Sequence, residues 1–331
     1  MKPSLIKSET TKCMGKQIPV FIWGPPGCGK SDIIKEIGKE MELQVFDNRA
    51  SQMEPPDVRG MPYIYKGKMH WAPPALLPAA DGSDGPSIVF LDELPQGSDS
   101  VQTALFQLCR DRRIGSYLLP DDCVIVAAGN RTTDRSGAKR VLQALNNRFL
   151  HLDFEVDLGD WSEWAIKSGK ISSTVLAFIR FRPELLMRFD PDKPAFPTPR
   201  TWEYLSNYLG MDAETSDDTE FESLSGLVGE GAAAEFTGFL KIWRNLPNID
   251  GIIMDPKKAS VPTDPATLYA VATALAERAT EDSCGRILTY ADRIQSDYQV
   301  VLIKDAITRD ATLGSTKEFN EWAIRNNDVL L

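Results

Sequence analysis

The chain has 331 residues, more than one usual domain, and 42% of them are hydrophobic, as in ordinary globular proteins. Its 47 acidic against 37 basic residues give a net charge of −10 and a pI near 4.9, which argues against a broad nucleic-acid footprint. Five cysteines, at positions 13, 28, 109, 123 and 284, are scattered without a C-x-x-C pair, and only two histidines are present, so a disulfide framework, a zinc site and a histidine-rich metal centre are all disfavoured.

Residues 1–15 lack the apolar core of a signal peptide, and no apolar run approaches the ~20 residues of a membrane span. Together with the unpaired thiols this points to a cytoplasmic protein with no membrane partner. The first predicted strand, Ile18 to Trp23, is a short apolar run suited to a buried parallel strand. It leads directly into Gly24-Pro25-Pro26-Gly27-Cys28-Gly29-Lys30-Ser31, a complete G-x-x-x-x-G-K-S phosphate loop. From Ser31 to Met41, Ile33, Ile34, Ile37 and Met41 recur at helical spacing, so the order is strand, loop, helix.

That order predicts a nucleotide triphosphate site. Glycines at 24, 27 and 29 let backbone N–H groups wrap phosphate oxygens, and the positive end of the helix dipole points at the same anion. Lys30 is expected on the β- and γ-phosphates, and the Ser31 hydroxyl on Mg²⁺. Pro25, Pro26 and Cys28 occupy the free positions of the motif; Cys28 reads as filler and not as a redox centre.

Further strands are predicted at Leu43 to Phe46, Ser87 to Leu91, Cys123 to Ala128 and Leu150 to Phe154, alternating with helices as in a parallel, helix-covered α/β sheet. An irregular insert, residues 51–86, is rich in Pro and Gly and carries a predicted hairpin from Met61 to Trp71. It is either a functional loop or a surface excursion whose aromatics pack on the sheet edge. The strand from Ser87 ends in Asp92 and Glu93, where Asp92 can hold Mg²⁺ through water and Glu93 can deprotonate an attacking water.

The strand from Cys123 ends in Gly129-Asn130, and Asn130 is either a turn residue or a reader of the γ-phosphate and its water. A helix is predicted over Ser136 to Asn147. Arg148, just past it, is either a solvated charge favourable to the helix dipole or a cation for a neighbouring subunit's nucleotide. From Leu158 onward the periodicity turns helical. A helix is expected after Pro197 and Pro199, with Arg200 at its start, its guanidinium suited to phosphate. The acidic stretch Asp212 to Ser223 resembles a solvated linker, and helices follow over Leu227 to Leu246, Pro265 to Arg278 and Ile287 to Ala306. The domain reading is a nucleotide-binding core at 1–157 with its insert at 51–86, a helical lid at 158–211 and a further helical region at 212–331.

In this order the phosphate loop, Leu91-Asp92-Glu93, Ala128-Gly129-Asn130, Asn147-Arg148-Phe149 and Pro199-Arg200-Thr201 resemble Walker A, Walker B, sensor 1, arginine finger and sensor 2 of the AAA+ ATPases, more particularly the MoxR-like branch. The resemblance covers roughly residues 15–210. It implies a P-loop NTPase core with a helical lid, a hexameric ring with ATP held between subunits, and hydrolysis coupled to lid rotation. It also implies remodelling of a protein partner, often one with a von Willebrand factor A domain. Two departures stand out: Leu94-Pro95-Gln96 follows the acids where many MoxR-like proteins have Ile-Asn-Arg, and no aromatic pore-loop motif is present, Tyr63, Tyr65 and Trp71 being the nearest substitutes. A phosphotransferase using the same loop, or a scaffold that binds ATP only to assemble, are the competing readings. The absence of an Asn-Lys-x-Asp guanine reader argues against a GTPase, and Glu93 argues against a pure scaffold.

Overall fold

The computed structural model describes residues 1–134, 139–211 and 217–326. They fall into two compact units, Met1–Asp157 and Leu158–Leu331. In the first, the chain runs α1 (Pro3–Met14), β1 (Val20–Trp23), α2 (Lys30–Glu40), β2 (Gln44–Arg49), α3 (Pro55–Arg59), β3 (Met61–Tyr65), β4 (Lys68–Ala72), β5 (Ser87–Asp92), α4 (Asp99–Asp111), β6 (Arg113–Ile114), β7 (Tyr117–Leu118), β8 (Cys123–Gly129), α5 (Gln143–Asn146) and β9 (Leu150–Asp153).

A five-stranded parallel sheet in the order β2-β5-β8-β1-β9 forms the centre. The apolar runs explain which strands sit inside. All of β8 and the residues of β5 from Ser87 to Leu91 are buried, whereas β2 and β9 at the two edges each bury a single residue, Asn48 and Leu152. Leu105, Leu108 and Val101 of α4 pack with Phe21, Val89 and Ile125 in one core. Helix α4 starts where the Ser98 hydroxyl accepts from Val101 N, and stops at Arg112, whose φ of 51° leaves the helical region.

The hairpin expected in the insert is present as β3 and β4, paired antiparallel, and every one of its residues is exposed. The helix expected over 136–147 is not. Residues 135–138 lie outside the described residues, and of the rest only Gln143–Asn146 is helical. The physical reason is where a backbone donor goes: Leu142 N donates to Gln102 Oε1 at 2.9 Å and not to an i−4 carbonyl, while Lys139 N is tied to Pro95 O at 2.9 Å. Helix α1 was not anticipated; its buried Ile6, Thr10, Cys13 and Met14 form a short stripe at helical spacing.

The second unit is helical: α6 (Leu158–Ser168), α7 (Ser173–Phe181), α8 (Pro199–Leu209), α9 (Asp217–Val228), α10 (Glu230–Arg244), α11 (Ile249–Met254), α12 (Pro265–Glu277), α13 (Glu281–Ala291), α14 (Ser296–Arg309) and α15 (Lys317–Arg325). Three expectations need correction here. The acidic stretch from Asp212 is not wholly a linker, because from Asp217 it is helix α9, anchored by buried Leu224 and Val228; residues 212–216 lie outside the described residues. The helix expected over 227–246 breaks at Gly229, which has φ 82° and sits so close to Ala195 O that a Cβ would lie 2.8 Å from it. The helix expected over 287–306 is two helices, α13 and α14, separated at 292–295.

The segments 158–211 and 217–326 also share one interior. Phe178 of α7 packs edge-on against Phe236 of α10 at 5.1 Å between ring centroids, and Arg180 of α7 makes a bidentate pair with Asp305 of α14. Both charges are buried, at 8% and 3% side-chain exposure, so their mutual bonds replace water. Arg180→Ala is therefore expected to destabilise the second unit by about 3–5 kcal/mol, because it strands a buried carboxylate, whereas the Arg180→Met/Asp305→Leu pair should recover most of the loss. Urea unfolding of the two variants beside the parent chain checks this. Among the described residues no helix is long and apolar enough to cross a membrane.

Candidate nucleotide-binding site

Parallel register brings the site residues to one edge. Trp23 of β1 lies opposite Gly129 of β8, and Leu91 of β5 opposite Ala127, so Gly24, Asp92 and Asn130 all lie at the same end of the sheet. Gly24 N extends the pairing by donating to Gly129 O at 3.2 Å. This is the carboxyl edge, where open α/β sheets bind ligands. A close approach holds the edge together: a Cβ on Gly129 would come within 2.2 Å of Pro95 Cδ, so the strand end and the turn after Glu93 meet only because residue 129 has no side chain.

The phosphate loop passes through Gly27 at φ 76° and Gly29 at φ 105°, left-handed conformations that glycine adopts without strain. Gly29 caps α2 without offering any side-chain acceptor, which leaves first-turn N–H groups for an anion. Lys30 is 8% exposed and folds back along the loop. Its Nζ donates to Gly24 O at 2.8 Å, Pro25 O at 2.9 Å and Asn130 Oδ1 at 2.9 Å. Asn130 thus lies beside the loop lysine.

Ser31 Oγ donates to Asp92 Oδ2 at 2.6 Å, and Asp92 Oδ1 accepts from Glu93 N at 2.9 Å. Glu93 sits at φ 54°, in the left-handed region, which turns its side chain away from the run of β5. There its Oε2 accepts a hydrogen bond from the Ser51 hydroxyl. Ser51 is a site residue that the sequence reading missed. Its signal is the register of β2 on β5, which pairs Arg49 with Asp92 and so carries the residues just after β2 toward Glu93. Arg131 was missed too; its guanidinium grips Asp153 Oδ1 from two nitrogens, at 2.6 and 3.0 Å, and fixes the loop that follows Asn130.

Cys28 is 4% exposed, and burial pushes its thiol above the ordinary range against the opposing pull of the Lys30 charge. Arg148 is exposed, with its guanidinium 5.8 Å from the centroid of the Phe106 ring. Arg200 is exposed in the second unit, at the start of α8, where the Thr198 hydroxyl caps Thr201 N.

The donors present fit a magnesium nucleotide. Ser31 and Asp92 supply hard oxygens within one hydrogen bond of each other, which suits an ion that takes one or two protein oxygens and keeps several waters. Among the described residues no group of three or more His, Cys, Asp or Glu could hold a metal, so most of such a shell would fall to water and phosphate.

The loop, the acidic strand end, Asn130 and Arg148 all fall within residues 19–149, which match the family model of the AAA domain (dynein-related subfamily). The sheet and its phosphate loop give the Met1–Asp157 unit the fold of a P-loop NTPase core of the AAA+ type, and the matched residues fall within it. Among curated proteins, midasin of Giardia intestinalis is 27% identical over 176 residues, covering 50% of this chain and 4% of midasin. A protein of Acanthamoeba polyphaga mimivirus, provisionally named a replication factor C small subunit, is 32% identical over 105 residues, covering 30% of this chain and 28% of that protein. The chain thus spans less than a third of the length of either curated relative. Among solved structures, NtrX of Brucella abortus in complex with ADP is 14% identical, with a TM-score of 0.42 and coverage of 99% of this chain and 68% of that chain.

Proposed function

We propose that this chain binds ATP with Mg²⁺ and hydrolyses it in a ring of its own copies, a hexamer of the MoxR-like AAA+ branch, to remodel a protein partner such as one carrying a von Willebrand factor A domain. The observation that carries the reading is a pair of hydrogen bonds at the carboxyl edge of the sheet, Lys30 to Asn130 at 2.9 Å and Ser31 to Asp92 at 2.6 Å. Lys30 would exchange its carbonyl acceptors for phosphate oxygens, and Ser31 and Asp92 would hold the metal. Mg²⁺, when bound, neutralises charge on the phosphates. Glu93 would take the proton of the attacking water, with Asn130 orienting that water and Arg200 contacting the phosphates from the lid.

Two features support a mechanochemical role over simple binding. Glu93 is a base beside the metal carboxylate, which a scaffold does not need. The β3–β4 ribbon presents Tyr63, Ile64, Tyr65, Met69 and Trp71 to solvent, a surface suited to a macromolecular partner. The direct test is Lys30→Ala with a fluorescent ATP analogue. Loss of one or two charge-assisted hydrogen bonds should weaken binding at least about 10- to 100-fold. An unchanged Kd would overturn the reading.

A further inference from the structure

Phe106 of α4 is the meeting point of two arginines. The Arg148 guanidinium lies 5.8 Å from the ring centroid and that of Arg110 lies 5.9 Å from it. The two come from different places. Arg110 is four residues on from Phe106 and shares its face of α4, while Arg148 follows α5, its N–H bonded to the carbonyl of fully buried Leu145. Phe106 is half-buried, with its inner side packed on the core, and both arginines are exposed. Arg110 has a carboxylate neighbour, Asp111, at 3.3 Å.

Two like charges on one ring repel each other, by about 1 kcal/mol at 4 Å in water. Each cation–π contact returns about 0.5–1 kcal/mol at an exposed site, so the ring can hold both. The result is a pair of planar, five-donor forks presented to solvent on a rigid platform, a donor set that matches the oxygens of a phosphate chain. With 5.8 and 5.9 Å to a shared centroid, the two forks lie no farther apart than the sum of those distances, a span that suits one small polyanion, and the strongly acidic total charge of the chain works against a polymer.

We propose that Phe106 presents Arg110 and Arg148 together to the triphosphate bound by a neighbouring copy of this chain. Arg110 is then a second cation acting across the interface, and Phe106 is a positioning residue that sets the reach of both. This rests on the ring of copies proposed above, taken with the reading of Arg148 as a cation for a neighbouring subunit's nucleotide.

Mixing experiments separate the two claims. Lys30→Ala chains cannot use their own nucleotide but keep the arginine pair, so they should restore turnover to chains that lack an arginine. Arg110→Ala alone should lose at least tenfold in kcat with its own ATP affinity unchanged, and should recover a share of turnover when mixed with Lys30→Ala chains. Phe106→Ala should show the same loss and the same recovery, whereas Phe106→Tyr, which keeps the ring, should stay within twofold of the parent chain. If Arg148→Ala is not restored by Lys30→Ala chains, the shared site itself fails. If Arg148→Ala is restored, but Arg110→Ala keeps full turnover or loses turnover that mixing does not restore, the shared site stands and the paired-arginine inference is overturned.

Discussion

Glu93→Gln is expected to bind ATP as tightly as the parent chain and to release phosphate about 10²- to 10⁴-fold more slowly. The substitution keeps the shape of the side chain and its acceptor for the Ser51 hydroxyl, and it leaves the bonds among Lys30, Asn130, Ser31 and Asp92 untouched. Only the capacity to take a proton is lost. Binding and turnover should therefore separate, which they would not do if Glu93 merely supported the strand end. Single-turnover phosphate release beside equilibrium ATP binding checks both halves. A loss smaller than about threefold, well under the usual effect of a general base, would remove Glu93 from that role.

Arg148→Ala should be the more damaging change, at about 10³- to 10⁵-fold in kcat, or roughly 4–7 kcal/mol of transition-state stabilisation. The side chain is exposed and its one aromatic contact is shared with Arg110, so the fold and its melting temperature should hardly move. Arg148→Lys keeps the charge without the fork and should recover only part of the rate. Steady-state ATPase assays at saturating chain concentration, with thermal melts alongside, decide the point. Intact turnover in Arg148→Ala would mean that its place over Phe106 is a surface contact and nothing more.

How far the sequence reaches depends on the range of the interaction being read. The phosphate loop was legible because its chemistry is local: Gly27 and Gly29 must adopt positive φ, and Lys30 and Ser31 must follow at once. The buried strands β5 and β8 were legible for the same reason, each being a continuous apolar run, closed by Asp92 in β5 and followed by Asn130 after β8. Ser51 was not, because only the register of β2 on β5 brings it to Glu93 across 42 residues of chain. The helix expected over 136–147 fails for an equally distant reason, since Gln102 takes the Leu142 donor that a continuous helix would need. The break at Gly229 is set by Ala195, on another segment altogether. Periodicity sees the face of one helix; it does not see what ends that helix from outside.

The pairing of Arg110 with Arg148 belongs to the same group. Nothing in the local sequence around either arginine points to the other, and the ring of Phe106 that joins them is an ordinary apolar position in an amphipathic helix. What the sequence did supply was the candidate, Arg148, and the structure supplied its surroundings.

Phosphate release per chain, measured over a wide range of total chain concentration, puts the idea of a divided hydrolytic centre to its hardest trial. Turnover should climb with concentration as copies associate and then level off, with Arg148→Ala flat and low throughout. Constant specific turnover down to concentrations where the chain sediments as a monomer would contradict it.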